Sequence, residues 1–273
     1  MYRGNLTKMP AQQANPIQYT LPLGDESLAV NQWLGRPIKL IATGNFYCVS
    51  CGNAISKRYG QGFCYPCMME SPLNSECIVR PELCRAHLGQ GRDPEWEEKH
   101  HNQPHVVYLA NSGGLKVGVT RDTQVPTRWI DQGASQAIII AATPNRYLAG
   151  QIEVALKNFY NDKTNWRKML MGEFPMLDMV TESEKARGLL PQDLKAYAKE
   201  GELVELTFPV LRKPSHLNSV NLEKAFEIEG TLTGIRGQYL LWEDGKVLNV
   251  RRYAGVEIEW MEGVAQPVQG TLF

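Results

Sequence analysis

The hydrophobic and polar positions in the middle of this chain follow more than one period. Two apolar runs flank a turn at Asn111-Ser-Gly-Gly114, a pattern typical of a β-hairpin. From Arg146 to Tyr160 the apolar residues recur every three or four positions, which predicts a helix with one buried face. That face contains Leu148, Ile152, Ala155, Leu156 and Phe159. The predicted elements follow the order β-β-α-β-α: strands over 105–110 and 115–120, a helix over 126–133, a buried strand over 137–142 and the helix over 146–160.

Both ends of the chain follow a period of two instead. Alternation from Phe226 to Thr233, and a turn at Glu243-Asp-Gly-Lys246 between two short apolar runs, indicate a meander of strands. Strands are predicted over 2–6, 37–43, 202–209, 226–233, 238–242, 247–250 and 256–260. Because neither end alone has enough strands to be stable, we expect both ends to combine into one small β-barrel or curled sheet.

These patterns predict an α+β protein with five segments. The segments are a β segment over 1–47 that joins the C-terminal sheet, a cysteine cluster with a linker over 48–104, a central domain over 105–172, a helical connector over 173–200 and a β-rich C-terminal domain over 201–273. Residues 89–104 are polar and contain Pro94 and Pro104, which predicts a linker or a long surface loop. The connector contains a charged helical stretch from Ser183 to Ala198.

Composition and charge indicate the class of protein and the compartment in which it works. The 273 residues include 29 Lys+Arg and 29 Asp+Glu, a balance that argues against a protein coating nucleic acid through bulk charge. The charge is uneven, because residues 106–172 contain eight basic and four acidic residues and residues 173–205 contain four and eight. The longest uncharged apolar run, 137–142, is too short to span a bilayer, and the N-terminus lacks a signal pattern. We therefore expect a cytoplasmic protein without a membrane partner.

The six cysteines all lie between Cys48 and Cys84. Four of them form two Cys-x2-Cys pairs, Cys48 with Cys51 and Cys64 with Cys67, separated by twelve residues. Such pairs converge on one Zn²⁺, and four thiolates fill its tetrahedron, so a structural zinc in a zinc-ribbon-like module is predicted. The alternatives are two disulfides, which a reducing compartment disfavours, and a thioredoxin-like redox pair, which needs a position between a strand and a helix.

The two remaining cysteines offer a second metal site. Cys77 and Cys84 supply two thiols, and Cys84-x2-His87 has the spacing of another metal-binding pair. A Cys2His2 zinc site needs a fourth ligand, and the histidines downstream are His100, His101 and His105. The alternative is a pair of buried free thiols beside a surface histidine.

Two tripeptides lie on the predicted hairpin, Val106-Val107-Tyr108 and Lys116-Val117-Gly118, and Arg128 and Glu153 lie on the two predicted helices. This order resembles the GIY-YIG nuclease superfamily, in which two tripeptides on a small sheet precede a helical arginine and a helical glutamate. The resemblance is closest to the branch whose second tripeptide is Lys-hydrophobic-Gly. It implies phosphodiester hydrolysis, with Tyr108, Lys116, Arg128 and Glu153 as the catalytic residues. In that family a tyrosine or an equivalent base activates water.

Elementary chemistry is compatible with these roles. Arg128 presents a planar donor fork to phosphate oxygens that gain negative charge, and one Mg²⁺ or Mn²⁺ on Glu153 would polarise the leaving oxygen. Tyr108 needs activation to accept a proton, because the pKa of a free tyrosine is about 10. Each residue also has a structural explanation, as a strand aromatic, a helix-surface charge or a solvated carboxylate. A pseudo-enzyme that keeps only the binding surface is therefore an alternative.

Cationic and aromatic residues are interleaved around this domain. The candidate nucleic-acid contacts are Arg121, Arg128, Trp129, Arg167 and Lys168. Cations beside indole rings suit phosphate contact combined with base stacking. The alternative is that Trp129 and Trp166 anchor helices in the core.

Four further stretches are informative together: Arg80-Pro-Glu-Leu-Cys84, Lys116-Val-Gly-Val-Thr-Arg121, Arg128-Trp-Ile-Asp-Gln-Gly-Ala134 and Gly234-Ile-Arg-Gly-Gln-Tyr-Leu240. With the cysteine cluster, they resemble a prokaryotic family defined by a domain of unknown function. The resemblance covers nearly the full length. It implies an architecture and brings no activity with it.

The sequence as a whole predicts a zinc-stabilised protein that acts on nucleic acid, either RNA or structured DNA. Its candidate activity is that of a metal-dependent nuclease. The rival hypothesis is a non-catalytic zinc-ribbon module that binds nucleic acid or a protein partner through the same basic face. A purely structural adaptor is the third hypothesis.

Overall fold

The computed structural model describes residues 1–264. The chain divides into two compact units, one formed by Met1–Tyr65 together with the chain from Phe208 onward, and the other by Pro66–Thr207. Residues 265–273 of the predicted C-terminal domain lie outside the described residues.

The described residues form strands, α-helices and 3-10 turns. The strands are β1 (Tyr2–Asn5), β2 (Ala11–Gln12), β3 (Gln18–Leu23), β4 (Glu26–Ala29), β5 (Pro37–Tyr47), β6 (Ala54–Ile55), β7 (His105–Asn111), β8 (Leu115–Arg121), β9 (Gln136–Thr143), β10 (Val204–Glu205), β11 (Asn218–Ser219), β12 (Glu227–Arg236), β13 (Tyr239–Trp242), β14 (Lys246–Asn249) and β15 (Val256–Glu262). The α-helices are α1 (Tyr65–Glu70), α2 (Pro94–His100), α3 (Thr127–Asp131), α4 (Arg146–Leu156), α5 (Trp166–Met171) and α6 (Met179–Gly188). The 3-10 turns are Val30–Trp33, Pro72–Asn74, Glu76–Ile78, Pro81–Leu83, Ala86–Leu88, Asp122–Gln124, Lys195–Tyr197 and Val250–Tyr253.

The first unit is built on an eight-stranded sheet with the order β1-β15-β5-β12-β13-β14-β11, and β6 pairs with β5. Strand β5 is antiparallel to both β12 and β15, so strands from the two ends of the chain share one sheet. On β5, Ile38, Leu40 and Ala42 alternate into the core. A three-stranded sheet with the order β2-β3-β4 belongs to the same unit. The expected combination of both ends is confirmed, but among the described residues the sheet stays open and forms no closed barrel.

Aromatic side chains connect the N-terminal residues to the last strand. Trp260 of β15 is fully buried and meets Trp33 edge to face, with ring centroids 5.9 Å apart. Tyr2 meets the same Trp33 ring at 6.3 Å. Each such pair contributes about 0.5–1.5 kcal/mol beyond the apolar area that it buries. The N-terminal residues are therefore part of the core of this unit.

The second unit contains a four-stranded sheet with the order β10-β9-β7-β8. The central strand β7 is antiparallel to β8 and β9, and every residue along it is buried. On one face, Val107 and Leu109 pack in a core that includes Ile152 of α4 and Met179 of α6. On the other face, Tyr108 packs against α3. The predicted order β-β-α-β-α matches the elements from β7 to α4.

Several predicted boundaries differ from the structure. The helix over 146–160 ends at Leu156, and Phe159, which was assigned to its buried face, is 60% exposed. The strand over 202–209 is reduced to Val204–Glu205, because only these two residues pair with β9. The charged helix over 183–198 corresponds only in its first part to α6, which ends at Gly188, and Lys195–Tyr197 form a 3-10 turn. Helix α6 starts earlier than predicted because Asp178 caps it by accepting hydrogen bonds from the amides of Val180 and Thr181.

The predicted linker over 89–104 contains a helix. Asp93 caps α2 by accepting a hydrogen bond from the Trp96 amide, and Pro94 occupies the first turn. The proline that favoured a loop in the sequence is therefore a helix start. Among the described residues, no helix has both the length and the apolar character that a membrane crossing requires.

Candidate metal centres and the central polar site

The four cysteines of the two Cys-x2-Cys pairs lie together, with their sulfur atoms all within 4.8 Å of one another. Cys48 and Cys51 belong to the turn between β5 and β6, while Cys64 precedes α1 and Cys67 lies in its first turn. The Sγ atoms of Cys51 and Cys64 are 3.9 Å apart. Two thiolates on a tetrahedral zinc, each at about 2.3 Å, are separated by roughly 3.8 Å. The group can therefore hold a metal ion such as zinc.

Backbone amides prepare Cys48 to act as a thiolate. Its Sγ accepts hydrogen bonds from the amides of Cys64 at 3.2 Å and Ser50 at 3.5 Å. Burial raises the pKa of the Cys48 thiol, but hydrogen bonds from the backbone of Cys51, Cys64 and Ser50 outweigh it and lower the pKa to about 6. Amides aimed at sulfur in this way are the usual support of a thiolate ligand.

The local geometry refines the predicted module. The zinc-ribbon-like form is not confirmed, because the second pair of thiols belongs to the start of a helix and not to a turn between strands. All six cysteines are free thiols, so the disulfide alternative does not describe this structure. The position of Cys64-x2-Cys67 before a helix suits the redox alternative, but all four thiols converge, which fits a metal ion better.

The second group contains Cys77, Cys84, Glu97 and His101, all of them buried, with ligand atoms within 4.8 Å of one another. His101 is one of the three histidines proposed as a fourth ligand. The His87 ring lies outside this group and stacks on Tyr147 at 4.6 Å. The 3-10 turn at Ala86–Leu88, which follows Cys84, carries that ring away from the sulfur atoms.

The other two histidines have separate environments. The Nδ1 atom of His100 lies 2.7 Å from the carbonyl oxygen of Trp96, and its ring stacks on that indole. His105 is buried on β7, with Nδ1 2.6 Å from the carbonyl oxygen of Gln103. Neither side chain belongs to a group of metal-binding side chains in the described residues.

Glu97 is the residue of this group that sequence reasoning missed. A signal was present, because Asp93-Pro94 is a helix start and Glu97 and His101 follow it four residues apart. That spacing places both side chains on one face of α2. The prolines and the polar composition masked the helix, and with it the carboxylate.

The second group is attached to α4. The Arg146 guanidinium, in the first turn of α4, donates to the carbonyl oxygen of Cys77 at 2.9 and 3.0 Å and to that of Ile78 at 2.9 Å. One turn later, a Cβ atom on Gly150 would lie 2.3 Å from the amide nitrogen of Glu82. Only glycine allows α4 to pack this closely against the 3-10 turn at Pro81–Leu83. The group is thus fixed to the helix that bears Glu153.

Tyr108 lies on the central strand β7, beside β8. Its hydroxyl donates to Gln132 Oε1 at 2.9 Å, and its ring meets Trp129 edge to face at 5.8 Å. Gly118 is the residue opposite it on β8, and a Cβ atom there would lie 2.7 Å from the phenol oxygen. The glycine of the second tripeptide therefore makes room for the tyrosine of the first. The ring is fully buried, and burial raises the pKa of its phenol.

Lys116 is a buried cation two residues earlier on β8, with 5% of its surface exposed. Its ammonium group donates a long hydrogen bond of 3.4 Å to the carbonyl oxygen of Asp162. Burial, followed by the nearby Arg128, lowers the pKa of Lys116 to about 8, while Glu153 and Asp162 oppose that shift. The charges of Arg128 on α3 and Glu153 on α4 are thus close enough to influence the ammonium group of Lys116 on β8.

Glu153 is 8% exposed and forms an ion pair with Lys157, one turn later, at 3.3 Å. Burial raises the pKa of the Glu153 carboxyl, and Lys157 lowers it. Lys157 also pairs with Asp162 at 3.6 Å. In this structure Lys157 therefore supplies the positive charge that a divalent cation would supply when bound to Glu153. Among the described residues Glu153 belongs to no group of three or more metal-binding side chains, so a Mg²⁺ or Mn²⁺ bound to it would have to replace Lys157.

The candidate nucleic-acid contacts divide into surface and core residues. Arg167 and Lys168 of α5 are exposed, and Arg167 stacks over Trp166 at 4.5 Å. Arg121 and Arg128 are half-buried. Trp129 is only 1% exposed, so a base has no access to its indole in this structure. Its burial agrees with the alternative in which it anchors α3 to the sheet.

The fold and the two thiol-rich groups define an α+β protein with two candidate metal centres. A family model described as "Protein of unknown function (DUF2797)" matches residues 35–258. The chain therefore belongs to the DUF2797 family, which confirms the resemblance to a family of unknown function. No curated protein and no solved structure matches it at a significant level.

Proposed function

We propose that the second unit hydrolyses phosphodiester bonds in nucleic acid, with RNA or structured DNA as its substrate and Mg²⁺ or Mn²⁺ as its cofactor. The observation that carries this proposal is the buried Lys116, whose pKa responds to the charges of Arg128 and Glu153. Burying a lysine without a close carboxylate partner is costly, and a fold that includes one gains little stability from it. Strongly shifted groups of this kind cluster at functional sites.

The roles follow from the chemistry of each side chain. Arg128 would hold the phosphate through its donor fork, and Glu153 would hold the divalent cation, which supplies polarisation of the leaving oxygen when bound. Lys116 is better suited than Tyr108 to accept the proton of water, because a pKa of about 8 leaves part of its amine neutral at physiological pH. Tyr108 would then position the site, through Gln132 and Gly118.

Two further observations support action on nucleic acid, and the first cysteine group would support the fold. The order of the four side chains on β7, β8, α3 and α4 is the order that a GIY-YIG-like domain would have. Arg167 and Lys168 are exposed cations in the same unit, and Arg167 lies over an indole ring. A structural zinc on Cys48, Cys51, Cys64 and Cys67 would stabilise the chain before this domain.

The test is a cleavage panel of labelled RNA and DNA with Mg²⁺ or Mn²⁺, comparing the native protein with Glu153→Gln. We expect the variant to lose at least about a hundredfold in cleavage rate and to keep its affinity, since a catalytic metal contributes several kcal/mol to the transition state. Glu184→Gln is the matched control, because Glu184 is an exposed carboxylate of α6. Equal loss in both variants, or cleavage that persists in Glu153→Gln, contradicts the proposal.

A non-catalytic binding module is the second candidate function. Two observations favour it: Tyr108 is fully buried, and Glu153 is already paired with Lys157. A binding module shows no cleavage to lose. In that case Arg128→Ala should weaken binding and lower the salt dependence of the affinity by about one phosphate contact. A protein that neither cleaves nor binds nucleic acid would fit the structural adaptor instead.

A further inference from the structure

We propose that Cys77, Cys84, Glu97 and His101 bind a second Zn²⁺. Glu97 takes the ligand position for which the sequence predicted a second histidine. All four side chains are buried and their ligand atoms lie within 4.8 Å of one another. Cys77 lies in the 3-10 turn Glu76–Ile78, and Cys84 directly follows the next turn, Pro81–Leu83. Glu97 and His101 lie on one face at the end of α2. This proposal does not depend on the proposed nuclease function, because it concerns a different set of side chains.

The separation of the Cys77 and His101 ligand atoms matches a tetrahedral ion. Cys77 Sγ lies 3.6 Å from His101 Nδ1. A thiolate at about 2.3 Å and an imidazole nitrogen at about 2.05 Å from one tetrahedral zinc are separated by roughly 3.6 Å. Ser75 Oγ lies 3.4 Å from the same sulfur, where it supports the thiolate from outside the coordination sphere.

The charges also balance. Two thiolates and one carboxylate carry three negative charges, and a zinc ion leaves one of them uncompensated. The Arg146 guanidinium supplies the missing positive charge, since it donates to the carbonyl oxygens of Cys77 and Ile78 beside the sulfur. Buried ionised groups are stable only when they are paired or coordinated, so a metal explains why these groups are buried together.

Two other functions for this group fit less well. A nucleophile–histidine–carboxylate relay uses opposite nitrogens of the imidazole ring, whereas here Nδ1 faces both Cys77 Sγ and the Glu97 carboxylate. Mg²⁺ and Ca²⁺ prefer oxygen ligands and disfavour two sulfur ligands. Two thiols with an imidazole and a carboxylate select Zn²⁺.

The first test uses the unmodified protein, purified under reducing conditions. Elemental analysis should find two zinc ions per chain. X-ray absorption should give an average of three sulfur ligands per zinc, because one site has four cysteines and the other has two. One zinc per chain with four sulfur ligands would overturn the proposal, and this measurement does not depend on how any variant folds.

The second test assigns the ligands. Glu97→Ala and His101→Ala should each lower the content to one zinc per chain. His87→Ala should keep two, since His87 lies nearby in sequence but stacks on Tyr147 outside the group. In a Cys48→Ser, Cys51→Ser double variant, the remaining zinc should have two sulfur ligands and two nitrogen or oxygen ligands. Two zinc ions in Glu97→Ala, or four sulfur ligands in the double variant, would contradict the assignment.

Discussion

At the scale of single residues, the contact between Gly118 and Tyr108 organises the central site. The phenol lies directly over the glycine, and Gln132 and Trp129 fix the ring in that place. Gly118 has no positive φ, so its role is to leave space and not to allow an unusual backbone. The tripeptide pattern thus has a packing reason that holds whether or not the site is catalytic.

Gly118→Ala should destabilise the protein by about 1–3 kcal/mol, because the added methyl group overpacks against a ring that cannot move. Urea unfolding monitored by tryptophan fluorescence measures the change. Gly188→Ala is the control, since Gly188 ends α6 and its Cβ position lies in open space. There, alanine should leave stability unchanged or raise it by up to about 1 kcal/mol. Equal effects at both positions would show that the contact with Tyr108 has no energetic importance.

His105 is a second residue with a defined energetic consequence. Burial lowers the pKa of its imidazole to about 3, and its Nε2 atom has no hydrogen-bond partner among the described residues. The unfolded chain, with a pKa near 6.5, binds a proton that the folded chain excludes. Stability from this residue is therefore complete above about pH 6.5 and falls as the pH drops from 6.5 toward 3.

Replacing His105 by Leu should flatten that dependence. Relative to the variant, the native protein should lose up to about 1.4 kcal/mol per pH unit below pH 6.5. Chemical unfolding at pH 7, 6 and 5 measures the difference, and loss of zinc at low pH affects both proteins alike. The exposed His216 offers the control, because His216→Leu should keep the native slope. Parallel pH profiles for native protein and His105→Leu would contradict the prediction.

At the scale of elements, α2 connects a helix cap to the proposed second zinc site. Asp93 stabilises the first turn, and Glu97 and His101 follow on one face of the same helix. Cys77 and Cys84 pack against Tyr147 of α4. We therefore expect helix formation and zinc binding in this segment to be coupled.

Asp93→Ala should cost about 1 kcal/mol of helix stability, and the second zinc should then bind about fivefold more weakly. Titration with a competing chelator measures the release of each zinc. Asp178→Ala removes a similar cap from α6, which bears no metal ligand, and should leave both zinc affinities unchanged. A loss of affinity that is equal in the two variants would mean that the cap on α2 has no specific link to the site.

At the scale of the whole molecule, the sheet of the first unit requires both ends of the chain. Strands β1 and β5 come from the N-terminal residues, and β12 to β15 come from the C-terminal residues. The sequence pattern predicted these six strands, and the shortage of strands at each end predicted their union, but β6, β11 and the sheet of β2, β3 and β4 were not predicted. The sequence pattern did not determine whether the sheet closes into a barrel, because an open sheet and a barrel have the same alternation of buried and exposed residues.

The sequence by itself determined the strands of the central hairpin, the helix that starts at Arg146, the two Cys-x2-Cys pairs and the family. The strands, the helix and the cysteine pairs depend on local spacing, which the sequence contains directly. The family depends on stretches spread along most of the chain. Only the tertiary structure decided that Glu97 joins Cys77, Cys84 and His101, that His87 turns away, and that Trp129 is buried. Residues far apart in sequence meet through packing, such as the close approach that Gly150 allows, and no local period encodes that contact.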